Sequence, residues 1–309
     1  MAQRPNILIY KKLITPLELA LQELAGIDKE FDGSLQRPDF INKGVFAYVI
    51  ARYEAALADC LKQFLIAFPD RLDKNSFNAN KNYPHILGTD LTSEVIELLI
   101  QDFIASTTYS KMDSFIELCC TSMGINNLSN HYKRTLREKK ARRNLLMHNN
   151  LVIDNTYIYS TSSDPRKIGN PLAITDSYLR ETISDAISSL NAFKENLHDK
   201  YHTYNKAKAI KQAWQYLFQQ PMMNFDDYWE VDEQNHVSLK VDTIRKRFRS
   251  LSSGERTILA YWVQNYSASI CDEFFKFKDL NMQVSNNWMM IYSVSLFDRF
   301  PLLLQNNEW

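Results

Sequence analysis

Glycine is scarce in this chain, with only 7 among 309 residues. Because few glycines offer few positions for the positive φ angles of tight hairpin turns, an architecture of many β-hairpins is disfavoured. Tyrosine and phenylalanine are plentiful by contrast, at 16 and 17. Hydrophobic residues make up 45% and charged residues 23%, as in ordinary globular proteins. The composition therefore favours a helical globular protein.

Net charge, paired cysteines and long apolar runs are also lacking. The formal net charge is zero, so only a local cluster of cations could attract a nucleic acid. The four cysteines form no C-x-x-C pair, which is typical of free thiols in a reducing compartment. No apolar stretch approaches the roughly 20 residues of a membrane span, and the N-terminus lacks a signal-peptide pattern. We expect a cytoplasmic protein that does not contact a membrane.

Apolar residues recur at three- and four-residue intervals along most of the chain, which predicts helices. The first helix is expected to begin at Thr15, with Pro16 in its first turn, and to end at Gly26. The other helices are expected at 42–68, 92–105, 110–123, 130–149, 177–208 and, beginning at Ser252 or Ser253, 252–275. Asn149 and Asn150 suit a left-handed cap, and Thr175 suits an N-cap.

Two segments depart from this helical pattern. The β-prone runs on either side of Asp154-Asn155 predict a small hairpin or a hooked pair of strands directly after the 130–149 helix. The polar stretch Asp70–Gly88 is long for a connection within a compact bundle and could be a lid, a partner surface, an RNA contact or merely a disordered segment.

We therefore predict an all-α protein, an up-down helical bundle with a small hairpin and a helical C-terminal extension. Three regions are expected: an N-terminal helical arm (1–41), the bundle (42–208) and a helical C-terminal domain (209–309). The core of the last region is expected to contain its aromatic residues, namely Trp214, Tyr216, Phe218, Tyr228 and Trp229.

The predicted helix 130–149 holds the segment HYKRTLREKKARRNLLMHNN, the most basic part of the chain. Such a concentration of cations in a chain without net charge suggests a phosphate-binding surface. The candidate RNA-binding residues are Arg137, Lys140 and Arg142.

Arg143, Asn144 and His148 lie near the end of that helix and suit RNA cleavage without a metal or a cofactor. Asn144 and His148 are four residues apart and share a helical face. An imidazole can move protons near neutral pH, and an arginine can stabilise the charge of a phosphorane. One chain supplies only half of a two-histidine site, which a symmetric homodimer would complete.

Arg143-Asn144-Leu145-Leu146-Met147-His148 resembles the R-N-x-x-x-H signature of the ribonuclease-type HEPN superfamily, and residues 42–208 share the resemblance. It implies a helical bundle, a homodimer with apposed motifs, and endoribonuclease activity. Arg143 and His148 would be the catalytic pair, with Asn144 as an orienting residue. Many such proteins are toxins or abortive-infection effectors of antiviral defence, held in check by an antitoxin or a regulatory partner. The acidic residue that often faces the motif would be Glu54.

Several alternatives stay open from the sequence. Glu54 could orient Arg143 or His148, or form an ordinary salt bridge. The fold could serve a non-catalytic nucleic-acid- or protein-binding module of a multi-protein defence system. The bundle could also merely oligomerise, with another polypeptide supplying the activity. His198 and His202 have a metal-compatible spacing but no evident third ligand, so no metal site is expected.

Overall fold

The structure, a computed structural model, describes residues 8–31, 37–68, 71, 92–126, 128–217 and 223–252, together with residues 255, 256, 259, 262 and 263. The described residues are mostly helical, which confirms the predicted all-α class, and they include one small hairpin. Among the described residues, no helix has the length and apolar character that crossing a membrane requires. The α-helices that the structure describes up to residue 217 are α1 (Tyr10–Glu30), α2 (Asp39–Ala67), α3 (Thr92–Thr108), α4 (Met112–Met123), α5 (Asn130–Asn149), α6 (Asn155–Thr161), α7 (Asp176–Tyr201) and α8 (Lys206–Leu217).

Helix α2 is the centre of the bundle and contacts α1, α3, α4, α5 and α7. Ten apolar residues at three- and four-residue intervals predict the buried side of this helix, and the structure confirms most of it. Val45 and Phe68 are partly buried, and the other eight are buried: Phe46, Val49, Ile50, Tyr53, Leu57, Leu61, Phe64 and Leu65. The Tyr53 hydroxyl also forms a hydrogen bond of 2.8 Å with Ser189 Oγ on α7. Because α2 is buried around most of its circumference, only one narrow stripe of this helix is left to contact solvent or a ligand.

The prediction that the first helix runs from Thr15 to Gly26 is wrong. Helix α1 begins at Tyr10, with Pro16 inside it, and continues through Gly26 to Glu30. Thr15 does not cap the helix; its hydroxyl donates to the Lys11 carbonyl at 2.7 Å. The apolar side of α1 packs on α2 and α7 with residues buried on both sides of Pro16, which outweighs the helix-disfavouring residues. The residues buried on this side are Leu13, Ile14, Leu17, Ala20 and Leu24.

No hairpin follows α5, contrary to the prediction. Asp154 is the N-cap of α6, because its carboxylate accepts a hydrogen bond of 2.7 Å from the Tyr157 N–H. Tyr157 is buried in a cluster with Ala141, Leu145 and Ile153, so packing overrides its strand propensity. Only Val152 retains an isolated bridge, to Pro171.

The helix predicted for 177–208 is two helices. Thr175 caps α7 as expected, accepting from the Tyr178 N–H at 3.2 Å, but α7 ends at Tyr201. A short connection follows, and Asn205 Oδ1 accepts from the Lys208 N–H at 2.8 Å at the start of α8. A side-chain cap within an apparently continuous apolar stripe explains the break.

The hairpin that the structure does describe lies in the C-terminal region. After the short helix α9 (Phe225–Tyr228), strand β1 (Trp229–Val231) pairs antiparallel with β2 (Val237–Leu239), and helix α10 (Val241–Arg247) follows. The predicted aromatic core is confirmed for Trp214, Tyr228 and Trp229, which are buried together with Phe225 and Trp262. The predicted core residues Tyr216 and Phe218 lie outside the described side chains, as do Asp70–Gly88 except Arg71 and everything after residue 263.

Candidate functional site

Helix α5 carries the motif and has the bounds expected from the sequence. At its start the Ser129 hydroxyl accepts from the His131 N–H at 3.2 Å. At its end Asn150 adopts the left-handed conformation, with φ 46° and ψ 42°, and its N–H bonds to the Leu145 carbonyl. The confirmed asparagine cap stops the helix two residues after His148, so the histidine lies in the last turn.

Arg143, Asn144 and His148 line one open depression of about 370 Å³ between α5, α2 and the end of α3. Its other lining residues are Glu54, Ala55, Ala58, Thr108, Tyr109 and Lys140. This volume is at the low end of the range for small-ligand sites, about 300–1,000 Å³. The structure thus brings together the three predicted catalytic residues and the predicted orienting acid.

Glu54 holds the cations of the depression. It is 9% exposed and contacts Arg143 Nη2 with Oε2, while Lys140 Nζ lies 2.7 Å from Oε1. The sequence left open whether Glu54 contacts Arg143 or His148, and in the structure it contacts Arg143. Two cations on one carboxylate leave one positive charge in excess, which suits an anionic ligand.

Three groups that line the depression retain unused hydrogen-bonding capacity. Arg143 Nε has no hydrogen-bond partner in the structure, but this atom is buried. Asn144 and His148 are exposed, and neither side chain bonds to any residue that the structure describes. One turn of helix, about 6 Å along the axis, separates them. The Asn144 amide and the His148 imidazole are therefore open to a ligand.

The basic surface inferred from the sequence is mostly used within the fold. Of the seven Lys and Arg residues of α5, only Arg134 has no carboxylate partner among the described residues. The other six form ion pairs: Lys133 with Glu117, Arg137 with Asp113, Lys139 with Glu181 and Asp185, Lys140 and Arg143 with Glu54, and Arg142 with Glu138. The positive charge of α5 that remains for a phosphate is thus Arg134, which lies outside the depression, and the one excess charge of Lys140 and Arg143 within it.

The three candidate RNA-binding residues all have intramolecular contacts. Arg137 donates to Asp113 at 3.0 Å and to the Ser162 hydroxyl at 2.9 Å. Lys140 is 6% exposed and donates to the Thr108 carbonyl at 2.6 Å. The Arg142 guanidinium lies 3.8 Å from the centre of the Tyr178 ring. RNA contact by these residues stays a prediction, and Arg137 and Arg142 do not line the depression.

A partly buried polar network connects α5 to α6 and α7. Glu138 accepts hydrogen bonds from the hydroxyls of Tyr157 at 2.7 Å and Tyr178 at 2.5 Å, and pairs with Arg142 at 2.8 Å. Burial and the neighbouring Glu138 carboxylate raise the pKa of Tyr157 to about 12 and raise the pKa of Tyr178 further. Both phenols therefore remain neutral donors that tie α6 and α7 to the motif helix.

Tyr109 and Thr108 at the end of α3 were not anticipated as site residues. Tyr109 is 91% exposed although it lines the depression. The sequence offers no signal for it, because one tyrosine among 16, placed between two helices, has no distinguishing spacing. Its place beside Arg143 depends on the packing of α3 against α2.

Among the described residues, no group of three or more His, Cys, Asp or Glu side chains is arranged to hold a metal. His198 contacts the Tyr10 hydroxyl at 3.1 Å, and His202 contacts the His198 carbonyl at 2.8 Å.

Comparisons of the chain with protein-family models, curated proteins and solved structures give no match. The chemistry of the depression is thus what indicates a function.

Proposed function

We propose that this protein is a metal-independent endoribonuclease of the HEPN type, acting as a toxin or an abortive-infection effector against phage. The observation that carries the proposal is the shared depression of Arg143, Asn144 and His148, in which the imidazole is exposed and unpaired. A nuclease of this kind needs a proton-transfer group and a fixed cation at one phosphate.

The reaction is an attack by the RNA 2′-hydroxyl on the neighbouring phosphorus. One imidazole removes the hydroxyl proton as the new P–O bond forms, and a protonated imidazole donates a proton to the departing 5′-oxygen. Arg143 stabilises the extra negative charge of the phosphorane, and Asn144 holds the phosphate in place. The products are a 2′,3′-cyclic phosphate and a free 5′-hydroxyl.

Two proton transfers call for two imidazoles, whereas each depression contains one. A second copy related by a two-fold axis would bring its own His148 to the same phosphate. The exposed position of His148, in the last turn of α5 and away from the core, suits contact with another subunit. The active species is therefore a homodimer with a composite site.

The first test is cleavage of total RNA by the purified full chain in EDTA. His148→Ala and Arg143→Ala should each reduce cleavage by about 100-fold or more, as expected for losing a proton-transfer group or the cation at the phosphate. His131→Ala is the matched control, because His131 is also exposed on α5 but lies at its opposite end. Unchanged cleavage by both site variants, or a strict need for a divalent metal, would reject the mechanism.

A mixing experiment tests the composite site. When wild-type protein is exchanged with excess His148→Ala protein, a composite site predicts activity that falls as the square of the wild-type fraction. Independent sites predict a linear fall, which would contradict the shared site while leaving a nuclease intact.

The ion pair between Glu54 and Arg143 specifically favours a second candidate, a non-catalytic binding module of a defence complex. A guanidinium held by a carboxylate is partly neutralised, which suits ligand binding better than charge stabilisation during a reaction. RNA that is retained by the wild-type protein but never cleaved would support this candidate over the nuclease.

A further inference from the structure

Tyr109 is the most exposed of the large hydrophobic side chains that the structure describes, at 91%. It makes no hydrogen bond or ring contact with any described residue. Yet it lines the same depression as Arg143, Asn144 and His148. No contact within the described fold accounts for an exposed aromatic ring at this position, beside a cation, an amide and an imidazole.

The backbone under Tyr109 is held firmly although its side chain is free. Lys140 Nζ donates to the carbonyl of the preceding residue, Thr108, at 2.6 Å, and lies 2.7 Å from the buried Glu54. On the other side, the Ser110 N–H bonds to the Thr107 carbonyl at 2.9 Å. Glu54, which contacts Arg143, therefore also holds the Lys140 side chain that fixes the backbone next to Tyr109. Tyrosine has few rotatable bonds, so ordering its ring against a ligand costs little entropy.

We propose that Tyr109 is the stacking platform of a nucleobase subsite, which takes an unpaired base next to the phosphate bound at Arg143. This inference rests on the proposed function and adds a substrate class, single-stranded RNA. Stacking on an aromatic ring requires a base whose face is free, which a duplex does not offer. The unpaired amide of Asn144 lies in the same depression and can hydrogen-bond the edge of that base.

The neighbouring residues favour a nucleotide over an apolar peptide as the occupant. A peptide groove would continue the ring with further apolar side chains. The residues that line the depression around Tyr109 are instead mostly polar or charged, with only two alanines: Glu54, Thr108, Lys140, Arg143, Asn144 and His148. A base on the ring and a phosphate on the guanidinium match this mixture of one aromatic face and charged groups.

The test measures binding of fluorescent single-stranded oligoadenylate to the full chain in EDTA, in the His148→Ala background so that the probe stays intact. Loss of one base stack is worth about 1–3 kcal/mol, so Tyr109→Ala should weaken binding by about 5-fold to 150-fold. Tyr109→Phe keeps the ring and should bind like its parent. Tyr159→Ala is the matched control, because Tyr159 is 75% exposed but does not line the depression.

A duplex RNA of the same length separates stacking from general charge attraction. Its binding should not depend on Tyr109. Equal binding of the single strand by Tyr109→Ala and its parent, or equal weakening of single strand and duplex, overturns the inference. If wild-type protein cleaves RNA but Tyr109→Ala changes nothing, only the subsite is refuted. If the single strand binds through Tyr109 but is never cleaved, the subsite survives and the nuclease does not.

Discussion

Replacing Glu54 by glutamine tests whether the buried ion pairs organise the candidate site. The substitution keeps the size and shape of the side chain but removes the charge that pairs with Lys140 and Arg143. Lys140 would then be a nearly buried ammonium with only the Thr108 carbonyl as its partner. Arg143 is 25% exposed, so water can compensate for part of its loss.

The expected cost follows from the burial of each group. Removing one partner of a fully buried pair costs about 3–5 kcal/mol. Because the Thr108 carbonyl and solvent near Arg143 offset part of this, we expect Glu54→Gln to lower the free energy of unfolding by about 2–4 kcal/mol.

Urea unfolding followed by far-ultraviolet circular dichroism measures the effect, because this signal reports the helices of the bundle. Tryptophan fluorescence would not report on the bundle, since all five tryptophans lie at or after residue 214. Glu97→Gln is the control, because its pair with Lys62 is solvent-exposed and should be worth at most about 1 kcal/mol. Adding Lys140→Met to Glu54→Gln should recover part of the loss. A cost of Glu54→Gln no larger than that of Glu97→Gln would refute the reasoning.

Two further predictions concern groups away from the depression. The pKa of Tyr157, raised to about 12, means that the folded state keeps this proton more tightly than the unfolded state. Stability should therefore fall as the pH rises from about 10 to about 12, and Tyr157→Phe should make this fall shallower in urea titrations; an identical slope would contradict the burial of the phenol. Burial raises the pKa of Cys120 to about 11 and raises the pKa of Cys60 and Cys119 as well. A thiol-labelling reagent at pH 8 should modify these three only after denaturation, as mass spectrometry of the labelled peptides will show; rapid labelling of the native protein would contradict the packing.

Helix bounds were predictable where local signals agreed with each other. Helix α5 follows its capping residues at both ends, and the apolar stripe of α2 is buried as its spacing indicates. The errors occurred where tertiary contacts outweighed a local signal. Pro16 lies inside α1 because this helix packs on α2 and α7 with buried residues on both sides of the proline. Tyr157 is helical because its ring is buried and its hydroxyl reaches Glu138.

The predicted catalytic set was accessible from the sequence because its spacing lies within one helix. Asn144 and His148 share a face by the geometry of the helix alone, and Arg143 adjoins them. Glu54 was named as a partner, but the choice between Arg143 and His148 required the packing of α2 on α5. Tyr109 was missed because its exposure is a property of the assembled fold.

By itself the sequence determined the helical class, the ends of the motif helix and the face that carries the imidazole and the amide. These features depend on interactions between residues a few positions apart, which the order of the chain specifies directly. Only the tertiary structure decided which cations remain free. Lys139 is 2% exposed between Glu181 and Asp185, although the sequence places it in a basic run. Charges pair according to distance in space, and those partners are more than 40 residues away along the chain.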